Sequence, residues 1–511
     1  MPDLSRRQLL AGALGTLGVA TLGACAPGGD TVPVGSAAVR RVEAARRRPG
    51  QQVMTARLSP RPVTLDLGGP VVDTWAYGDS APGPLLRARA GDLLRVTVDN
   101  NLPAATSVHW HGVALRNDMD GVPGVTQAPI GAGDRFTYEF TAPDPGTYFY
   151  HPHSGVQLDR GLYGVLLVDD PDEPGGYDVE WTVVLDDWVD GTGRTPDDVL
   201  QALAGSAGGG SMSGHDMGGM DHGSSDGSGM GGMDHGGMGA MGGAMTSPLL
   251  GGAGDVAYPH YLLNGRVAAA PRTLAARPGH KARIRIVNAG SDTAFRVALG
   301  GHRLTVTHSD GFPVVPATSD ALLVGMGERY DVQVTLGDGA FPLVAVPEGK
   351  TGQALAIVRT GPGRAPAAAV RPTELNRQTL LGNDLTAEDD VRLDRRRVDR
   401  AHDLVLGGSM MPYRWTINGK TFPDGEPLEV EQGERVQLRF ANASMMFHPM
   451  HVHGHTFAVA NGGARKDTVI VRPMERVLVE LDATNPGQWM THCHNIYHAE
   501  TGMMISLSYR Q

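Results

Sequence analysis

The sequence predicts an all-β protein built from three tandem domains of similar size. Its 511 residues exceed one ordinary domain, and about 150 residues per domain suggests three. One motif occurs three times, at 90–100, 278–288 and 432–442, and in each copy a turn glycine is followed nine residues later by asparagine. Between them apolar and polar residues roughly alternate, as in a half-buried strand. Elsewhere short strand-like runs are broken by glycine and proline, which is typical of β-sandwiches or barrels.

The first 25 residues are typical of an export signal rather than of folded structure. Residues 5–10, Ser-Arg-Arg-Gln-Leu-Leu, resemble a twin-arginine (Tat) signal, and an apolar stretch follows to Gly23. Residues 22–25 resemble a bacterial lipobox, in which Cys25 would be acylated and become the mature N-terminus. A plain cleaved signal peptide with an incidental Cys25 is the alternative. We therefore expect export to the cell envelope or the extracellular space, with a lipid anchor if Cys25 is acylated.

Charge and cysteine content narrow the possible partners. The formal net charge is -11 and no basic cluster lies in the body of the chain, which argues against a nucleic-acid partner. After the signal no apolar run approaches the roughly 20 residues that span a bilayer, so we expect a soluble body that meets a membrane only through the lipid. The two cysteines are Cys25 and Cys493. If Cys25 is lipidated or removed, no internal disulfide is possible, and metal ligation would explain the remaining thiol.

A biased segment explains the unequal spacing of the repeats. The repeat glycines Gly91, Gly279 and Gly433 lie 188 and then 154 residues apart. Between residues 205 and 247 the chain is mostly Gly, Ser, Met, His and Asp, which cannot bury enough apolar surface to offset the entropy of ordering. We predict a disordered insert between the first two domains. The predicted domains are then 50–190, 255–365 and 400–511.

Four His-X-His pairs lie at matched positions in the first and third copies. Two pairs start nine residues after the repeat asparagine, and two share one offset from a Pro-Gly; the middle copy has Val297 and Leu299 instead. Residues i and i+2 of a strand face the same side, so each pair presents two imidazoles together. Eight imidazoles can hold three copper ions if the first and third domains pack against each other. The eight are His109, His111, His151, His153, His451, His453, His492 and His494.

Cys493 lies between two of these histidines, so on a strand its sulfur points to the opposite face. A thiolate with two imidazoles and a weak thioether makes a blue-copper electron-transfer site. His498, Met503 and His448 are candidates for the other ligands; Pro449 interrupts the regular strand alternation next to His448. One strand would then connect the two copper sites through adjacent residues.

These motifs resemble those of the multicopper oxidases, namely laccases, bilirubin oxidases and copper-efflux oxidases. The resemblance rests on His-Trp-His-Gly at 109–112, His-Pro-X-His-X-His-Gly at 448–454 and His-Cys-His-X₃-His-X₄-Met at 492–503, and extends from about residue 50 to the end. It implies three cupredoxin-like Greek-key β-barrels and four copper ions. Type 1 copper would be bound by His448, Cys493, His498 and Met503, and type 2 copper by His109 and His451. The two type 3 ions would share His111, His151, His153, His453, His492 and His494.

The resemblance also implies a reaction, in which single electrons from a reducing substrate are stored to reduce O₂ to water. Family members carry an Asp in a Met-Asp-Gly-X-Pro-Gly stretch, matched here at 119–124, so Asp120 is a proton-relay candidate. Its alternative role is turn formation before Gly121. Many bacterial relatives have Glu directly after the second type 1 histidine. This chain has Ala499 there and Glu500 next, so Glu500 is the second candidate.

Two features favour cuprous copper as the substrate. Thioethers are soft and select Cu(I), and the insert holds eight of the 21 methionines. Met445 and Met446 precede His448, where copper-efflux oxidases have Asp-Met-Met-Leu-His with a Cu(I) site; here Ser444 replaces the Asp. Alternatively the insert is a linker and both methionines pack the core.

We therefore expect a monomeric Cu(I) oxidase that also oxidises phenols. One alternative is a general laccase for organic donors, in which the insert is only a spacer. The other is a copper-sequestering protein without turnover, which the complete set of eight histidines disfavours.

Overall fold

The computed structural model describes residues 31–173, 175–205, 246–460 and 462–511. The predicted signal, with Cys25, and residues 206–245 of the predicted insert lie outside the described residues. β-Strands are the main regular structure of the described chain, which also has the short helices α1 (Ala37–Arg46), α2 (Pro196–Gly205) and α3 (Ile496–Glu500). No helix among the described residues is long and apolar enough to cross a membrane. The predicted all-β class is confirmed.

The first domain pairs a three-stranded with a four-stranded sheet, ordered β1-β5-β7 and β4-β9-β8-β6, beside the hairpin β2-β3. Its strands are β1 (Val53–Leu58), β2 (Pro60–Asp66), β3 (Val71–Tyr77), β4 (Leu86–Arg89), β5 (Leu93–Asp99), β6 (His109–His111), β7 (Arg135–Thr141), β8 (Gly146–His151) and β9 (Gly164–Asp169). A separate apolar core fills this domain.

The middle domain has sheets of seven and six strands, ordered β14-β13-β10-β16-β21-β18-β19 and β15-β23-β22-β17-β20-β24, and a small hairpin β11-β12. Its strands are β10 (Val179–Trp188), β11 (Thr246–Ser247), β12 (Gly251–Gly252), β13 (His260–Leu263), β14 (Arg266–Val267), β15 (Arg272–Ala275), β16 (Lys281–Asn288), β17 (Phe295–Leu299), β18 (Leu304–Ser309), β19 (Phe312–Ser319), β20 (Ala321–Val324), β21 (Arg329–Thr335), β22 (Ala340–Pro347), β23 (Ala354–Arg359) and β24 (Thr379–Leu380).

The third domain has sheets of six and five strands, ordered β26-β25-β28-β33-β30-β31 and β27-β35-β34-β29-β32. Its strands are β25 (Arg400–Met410), β26 (Tyr413–Ile417), β27 (Leu428–Val430), β28 (Arg435–Asn442), β29 (His448–Val452), β30 (Phe457–Val459), β31 (Arg465–Lys466), β32 (Thr468–Val471), β33 (Arg476–Asp482), β34 (Gln488–Cys493) and β35 (Met504–Tyr509). One continuous apolar core joins this domain to the middle one.

The three repeat motifs form equivalent strands, β5, β16 and β28. Buried and less buried residues alternate in β5 and β28 as the pattern predicts, whereas β16 is buried from its second residue to its end. Each pairs in parallel with the first strand of its domain: β5 with β1, β16 with β10 and β28 with β25. The strand β10 therefore belongs to the middle domain. This corrects the predicted first domain of 50–190 and second domain of 255–365, because the insert follows the first strand of the middle domain and separates it from its sheet partners.

The edges of the predicted insert also differ from the expectation. Gly205 ends helix α2, and Thr246–Ser247 forms the strand β11. Ser247 is buried, and its hydroxyl donates to Glu348 at 2.6 Å. This contact orders Ser247, which composition alone assigns to the disordered segment.

The first and third domains dock directly, as the shared set of histidines requires. The side-chain amide of Asn117 donates to the backbone carbonyl of Gln488 at 2.6 Å. The backbone amide of Gln488 donates to the side-chain oxygen of Asn117 at 3.1 Å. Asn485 donates to the carbonyl of Leu115 at 2.8 Å. These buried bonds hold the segment that follows β6 against the start of β34 and the residues just before it.

Candidate metal centre and active site

Two pairs of antiparallel strands carry the eight histidines, hereafter the eight-histidine cluster. In the first domain His109 of β6 lies opposite His151 of β8, and in the third His451 of β29 lies opposite His492 of β34. The two halves interleave, since the ring centroids of His111 and His451 are 3.8 Å apart and stacked. The imidazoles predicted from sequence therefore do meet between the two domains.

The cluster divides into groups of three whose nitrogen atoms lie within 4.8 Å of one another. One group joins His111, His151 and His494, and a second joins His153, His453 and His492. A third brings His109 and His451 together with His111. Two triads beside one pair is the division that the resemblance implies for two type 3 ions and one type 2 ion.

The chemistry of these nitrogens fits metal ions. Buried nitrogens without any hydrogen-bond partner include Nε2 of His109, His151 and His451, and Nδ1 of His111; both ring nitrogens of His494 also lack partners. Such orphaned acceptors are costly in a protein interior unless a ligand satisfies them. Burial lowers the pKa of the imidazoles, well below the ordinary value for His111, His151, His153, His453, His492 and His494. Neutral imidazoles keep the lone pair that a metal requires.

Backbone carbonyls set the tautomers. Nδ1 of His109 donates to the Asp120 carbonyl at 2.8 Å, and Nδ1 of His451 donates to the Asp467 carbonyl at 2.9 Å. Nδ1 of His151 and of His492 donate to the carbonyls of Pro152 and Cys493, both at 2.8 Å. Each bond leaves Nε2 as the acceptor that faces the cluster, which is how outer partners orient metal ligands.

On the opposite face of β34 lies a second group, the cysteine site of His448, Cys493 and His498. The Cys493 sulfur is 3.7 Å from Nδ1 of His448 and 3.6 Å from Nδ1 of His498, and these two nitrogens are 3.1 Å apart. Despite Pro449, His448 therefore does face the thiol. Burial raises the pKa of the thiol; metal binding would have to displace its proton.

Each histidine of the cysteine site is held at its outer edge. Nε2 of His498 donates to Oδ2 of Asp255 at 2.8 Å, and Nε2 of His448 donates to the hydroxyl of Ser444 at 2.8 Å. Both imidazoles are 0% exposed. Met503 is also fully buried, and its carbonyl accepts from the Cys493 amide at 3.1 Å. This backbone bond places Met503 next to Cys493.

Neighbouring residues of one strand connect the two sites. His492 and His494 flank Cys493 in sequence, and they belong to different triads of the eight-histidine cluster. The route from the sulfur to either triad is therefore a short covalent path.

Asp120 lies against the eight-histidine cluster and is fully buried. Its Oδ2 accepts from Nδ1 of His453 at 2.9 Å, while Oδ1 lies 3.2 Å from Nδ1 of His109 and has no hydrogen-bond partner. Gly121 follows with φ of 82°, a backbone conformation that favours glycine. Asp120 therefore both precedes the turn at Gly121 and contacts the eight-histidine cluster.

Glu500, at the end of α3, lies on a path from solvent to the cluster. It lines an open cleft of about 570 Å³ and also a small inner cavity walled by His151, His153, His492 and His494. Glu500 is exposed at the mouth of the cleft, but protein atoms on its other sides desolvate the carboxyl and raise its pKa to about 7.

The two methionines next to His448 are placed differently. Met445 is 72% exposed, whereas Met446 is half-buried. A Cβ at Gly252 would lie 2.7 Å from the Met446 sulfur. The described chain that resumes after the insert therefore runs directly over Met446.

Sequence reasoning missed three residues that support the site. Asp255 comes from the middle domain, and Asp467 accepts from Nε2 of His111 at 3.1 Å. Arg329, also of the middle domain, donates to both Asp467 oxygens at 2.7 and 2.6 Å. Burial alone would raise the pKa of Asp467, but Arg329 and the neighbouring histidines hold it well below its usual value. Asp255 and Asp467 lie in no repeated motif. Arg329 begins β21 as Arg135 and Arg476 begin β7 and β33, but this recurrence does not reveal its partner.

This fold and these clusters define a copper oxidase built from three β-barrel domains. Three models described as multicopper oxidase match residues 62–173, 240–363 and 397–511, together more than half of the chain. The chain belongs to the multicopper oxidase family. It is an oxidoreductase with four copper ions that couples oxidation of a reducing substrate, such as Cu(I) or a phenol, to reduction of O₂.

Particular relatives span nearly the whole chain. It is 49% identical over 481 residues to the multicopper oxidase MmcO of Mycobacterium tuberculosis, covering 93% of this chain and 90% of that protein. Copper resistance protein A of Escherichia coli is 27% identical, over 83% of this chain and 87% of that one. Among solved structures, Botrytis aclada laccase has a TM-score of 0.70 at 24% identity, covering 90% of this chain and 88% of that one. Fet3p, a multicopper oxidase that functions in iron import, has a TM-score of 0.71 at 20% identity, covering 90% of each chain. These two likenesses support the predicted cupredoxin-like barrels.

Proposed function

We propose that the physiological electron donor of this oxidase is Cu(I). The observation that carries this proposal is the closed cysteine site beside a surface thioether: His448 and His498 are 0% exposed and their outer nitrogens are bonded to protein, while Met445 is 72% exposed. An aromatic donor cannot touch either imidazole directly. A small soft ion can bind the thioethers next to His448.

The copper ligands follow from the clusters. We assign His448, Cys493, His498 and Met503 to type 1 copper, and His109 and His451 to type 2 copper. The type 3 ions take the two triads, His111 with His151 and His494, and His153 with His453 and His492, whose acceptor atoms lie within 4.8 Å in each triad. When bound, the four ions supply the one-electron steps and the electron storage that reduce O₂ to water.

The chain's own residues then provide order and protons. The Asp255 and Ser444 hydrogen bonds keep Nδ1 of both cysteine-site imidazoles directed at the Cys493 sulfur. Asp120 holds His453 in place and keeps one oxygen unbonded at the cluster. We assign it one proton-relay role.

Glu500 supplies the second proton route. Its position in both the open cleft and the inner cavity joins solvent to His153 and His492. With a pKa of about 7, its carboxyl can take and give a proton near neutral pH. It thus takes over the task that a Glu at residue 499 would have in many relatives.

Capture of Cu(I) is the role we assign to Met445, Met446 and the methionine-rich insert. The chain resumes after the insert with Thr246, and six residues later Gly252 lies against the Met446 sulfur. The described residues that follow the insert therefore lie beside the proposed donor site. Ser444 bonds His448 at the position where an Asp would assist in copper-efflux oxidases, and Asp255 provides a carboxylate at the other histidine.

Location and assembly complete the proposal. The twin-arginine motif and the lipobox-like sequence support export to the cell envelope, with Cys25 as lipid anchor. Because one chain supplies every ligand, a monomer suffices.

Steady-state kinetics with Cu(I) and with a phenol test the proposed donor. In a Met445→Leu/Met446→Leu variant, and in a deletion of residues 206–245, we expect the KM for Cu(I) to rise about tenfold, in line with the loss of outer metal contacts. Phenol oxidation should change little. The matched control is Met411→Leu, because Met411 is 73% exposed and is not part of the proposed site. Unchanged Cu(I) kinetics in both variants, with phenols the better substrates, would instead identify a general laccase.

A further inference from the structure

The open cleft at Glu500 contains soft ligands that oxygen or proton transport does not require. Its lining includes the thioethers Met490 and Met504 together with His153, and the aromatic rings of Trp75 and Phe422. The cleft shares His153 and Glu500 with the inner cavity, so it opens toward the eight-histidine cluster. Met504 is half-buried in this lining, and Met490 is buried behind the cleft surface.

Strand geometry places the two thioethers beside His492. Met490 precedes His492 by two residues on β34, so both side chains project from one face. Met504 on β35 is the direct cross-strand partner of His492, and such pairs have Cβ atoms about 5 Å apart. His492 itself belongs to the triad with His153 and His453. Both methionines are therefore next neighbours of His492, a member of the triad that lines the cleft.

This combination matches the preferences of one ion. Thioethers bind Cu(I) and have little affinity for harder cations, whereas imidazoles bind copper in either oxidation state. We propose that the cleft is the loading port through which Cu(I) reaches the eight-histidine cluster when the enzyme is assembled. Met490 and Met504 would act as transfer ligands that pass the ion to His153 and His492, without any change of its oxidation state.

The port is separate from the donor site at Met445, which lies next to the cysteine site. The inference rests on the histidine triads as copper ligands, but it does not require Cu(I) to be the oxidised substrate. Loading rates and turnover kinetics therefore test the two proposals independently.

The test is reconstitution of the copper-free full chain under anaerobic conditions with Cu(I) supplied as its acetonitrile complex. Uptake is stopped at intervals with excess Cu(I) chelator, and bound copper is counted; the type 2 signal is then read by electron paramagnetic resonance after oxidation. The variant is Met490→Leu/Met504→Leu, because leucine conserves volume and removes only sulfur. Met504→Leu alone, at a half-buried position, serves if the double variant folds poorly. Met411→Leu controls for loss of a thioether elsewhere.

We expect the double variant to fill the eight-histidine cluster about tenfold more slowly with Cu(I), the usual scale for loss of outer metal contacts. Its final copper content, its rate of loading with Cu(II) and its filling of the cysteine site should match the parent. A parent-like Cu(I) loading rate would overturn the proposal. Equal slowing with Cu(I) and Cu(II) would also overturn it, because that result would mean a distorted cleft rather than lost soft ligands.

Discussion

The carboxylate of Asp255 accepts a hydrogen bond from Nε2 of His498 at 2.8 Å. The middle domain, which provides no predicted copper ligand, thus holds one ligand of the third domain in place. Tyr413 donates to the same Asp255 oxygen at 2.6 Å, and the Asp255 amide donates to Asp292 at 2.9 Å. One of these bonds fixes the Asp255 carboxylate and the other fixes its backbone.

Replacement of Asp255 should weaken copper binding at the cysteine site. In Asp255→Ala the buried Nε2–H of His498 loses its partner and the ring loses its orientation, so we expect affinity for type 1 copper to fall about 10- to 100-fold. Competition with a chelator, followed by the blue absorbance, measures this. Asp255→Asn keeps an acceptor oxygen and should lose less. Equal affinity in the Ala variant and the parent would contradict a positioning role.

Cys493→Ser tests the electron path between the sites. We expect loss of the intense blue absorption, because that band requires the thiolate, and loss of O₂ consumption with every donor. The bound copper should fall from four ions to three, since the eight-histidine cluster is intact. A variant that still consumes oxygen at the parental rate would refute the assignment of the cysteine site.

Glu500 should give the oxidase a pH dependence near neutrality. Its pKa of about 7 lies above the ordinary glutamate value, so the carboxyl holds its proton below about pH 7 and loses it above. As a proton donor it should therefore sustain O₂ reduction at lower pH and lose effect as the pH rises through 7. In Glu500→Gln, kcat with saturating Cu(I) should be lower, and its decrease as the pH rises through 7 should be absent. If the same decrease persists in the variant, it is caused by another titrating group.

Arg329 should be a main determinant of stability where the three domains meet. Its buried guanidinium bonds both oxygens of Asp467 and also the Thr147 carbonyl of the first domain, at 3.0 Å. In Arg329→Met the buried Asp467 carboxylate keeps its bond from His111 but loses the cation that balances its charge, which costs about 3–5 kcal/mol. Thermal unfolding of the copper-free protein should show a markedly lower midpoint. Arg329→Lys keeps the charge but cannot bond both Asp467 oxygens as the guanidinium does, so its unfolding midpoint should lie between those of the parent and the Met variant. A Met variant as stable as the parent would contradict this prediction.

The sequence predicted those parts of the site that internal repetition or strand parity marks. His109 and His451 stand at one offset from equivalent asparagines, and the alternation around Cys493 separates the two sites. Asp255, Asp467 and Arg329 could not be predicted, because each acts across a domain boundary and no repeat fixes its partner. The boundary of the middle domain was wrong for a related reason: β10 pairs with a strand on the far side of the insert, and parallel pairing leaves no local turn signal.

The position of the insert has a consequence for how the middle barrel folds. Val184 on β10 must find Val287 on β16 across all the intervening chain, so this barrel has a higher contact order than its neighbours. Pairings of this kind slow folding. The equilibrium cost of closing such a loop grows only with the logarithm of its length. Changes in the length of the methionine-rich tract should therefore alter the stability of the protein little. They should alter the folding rate of the middle barrel more, with longer tracts folding more slowly.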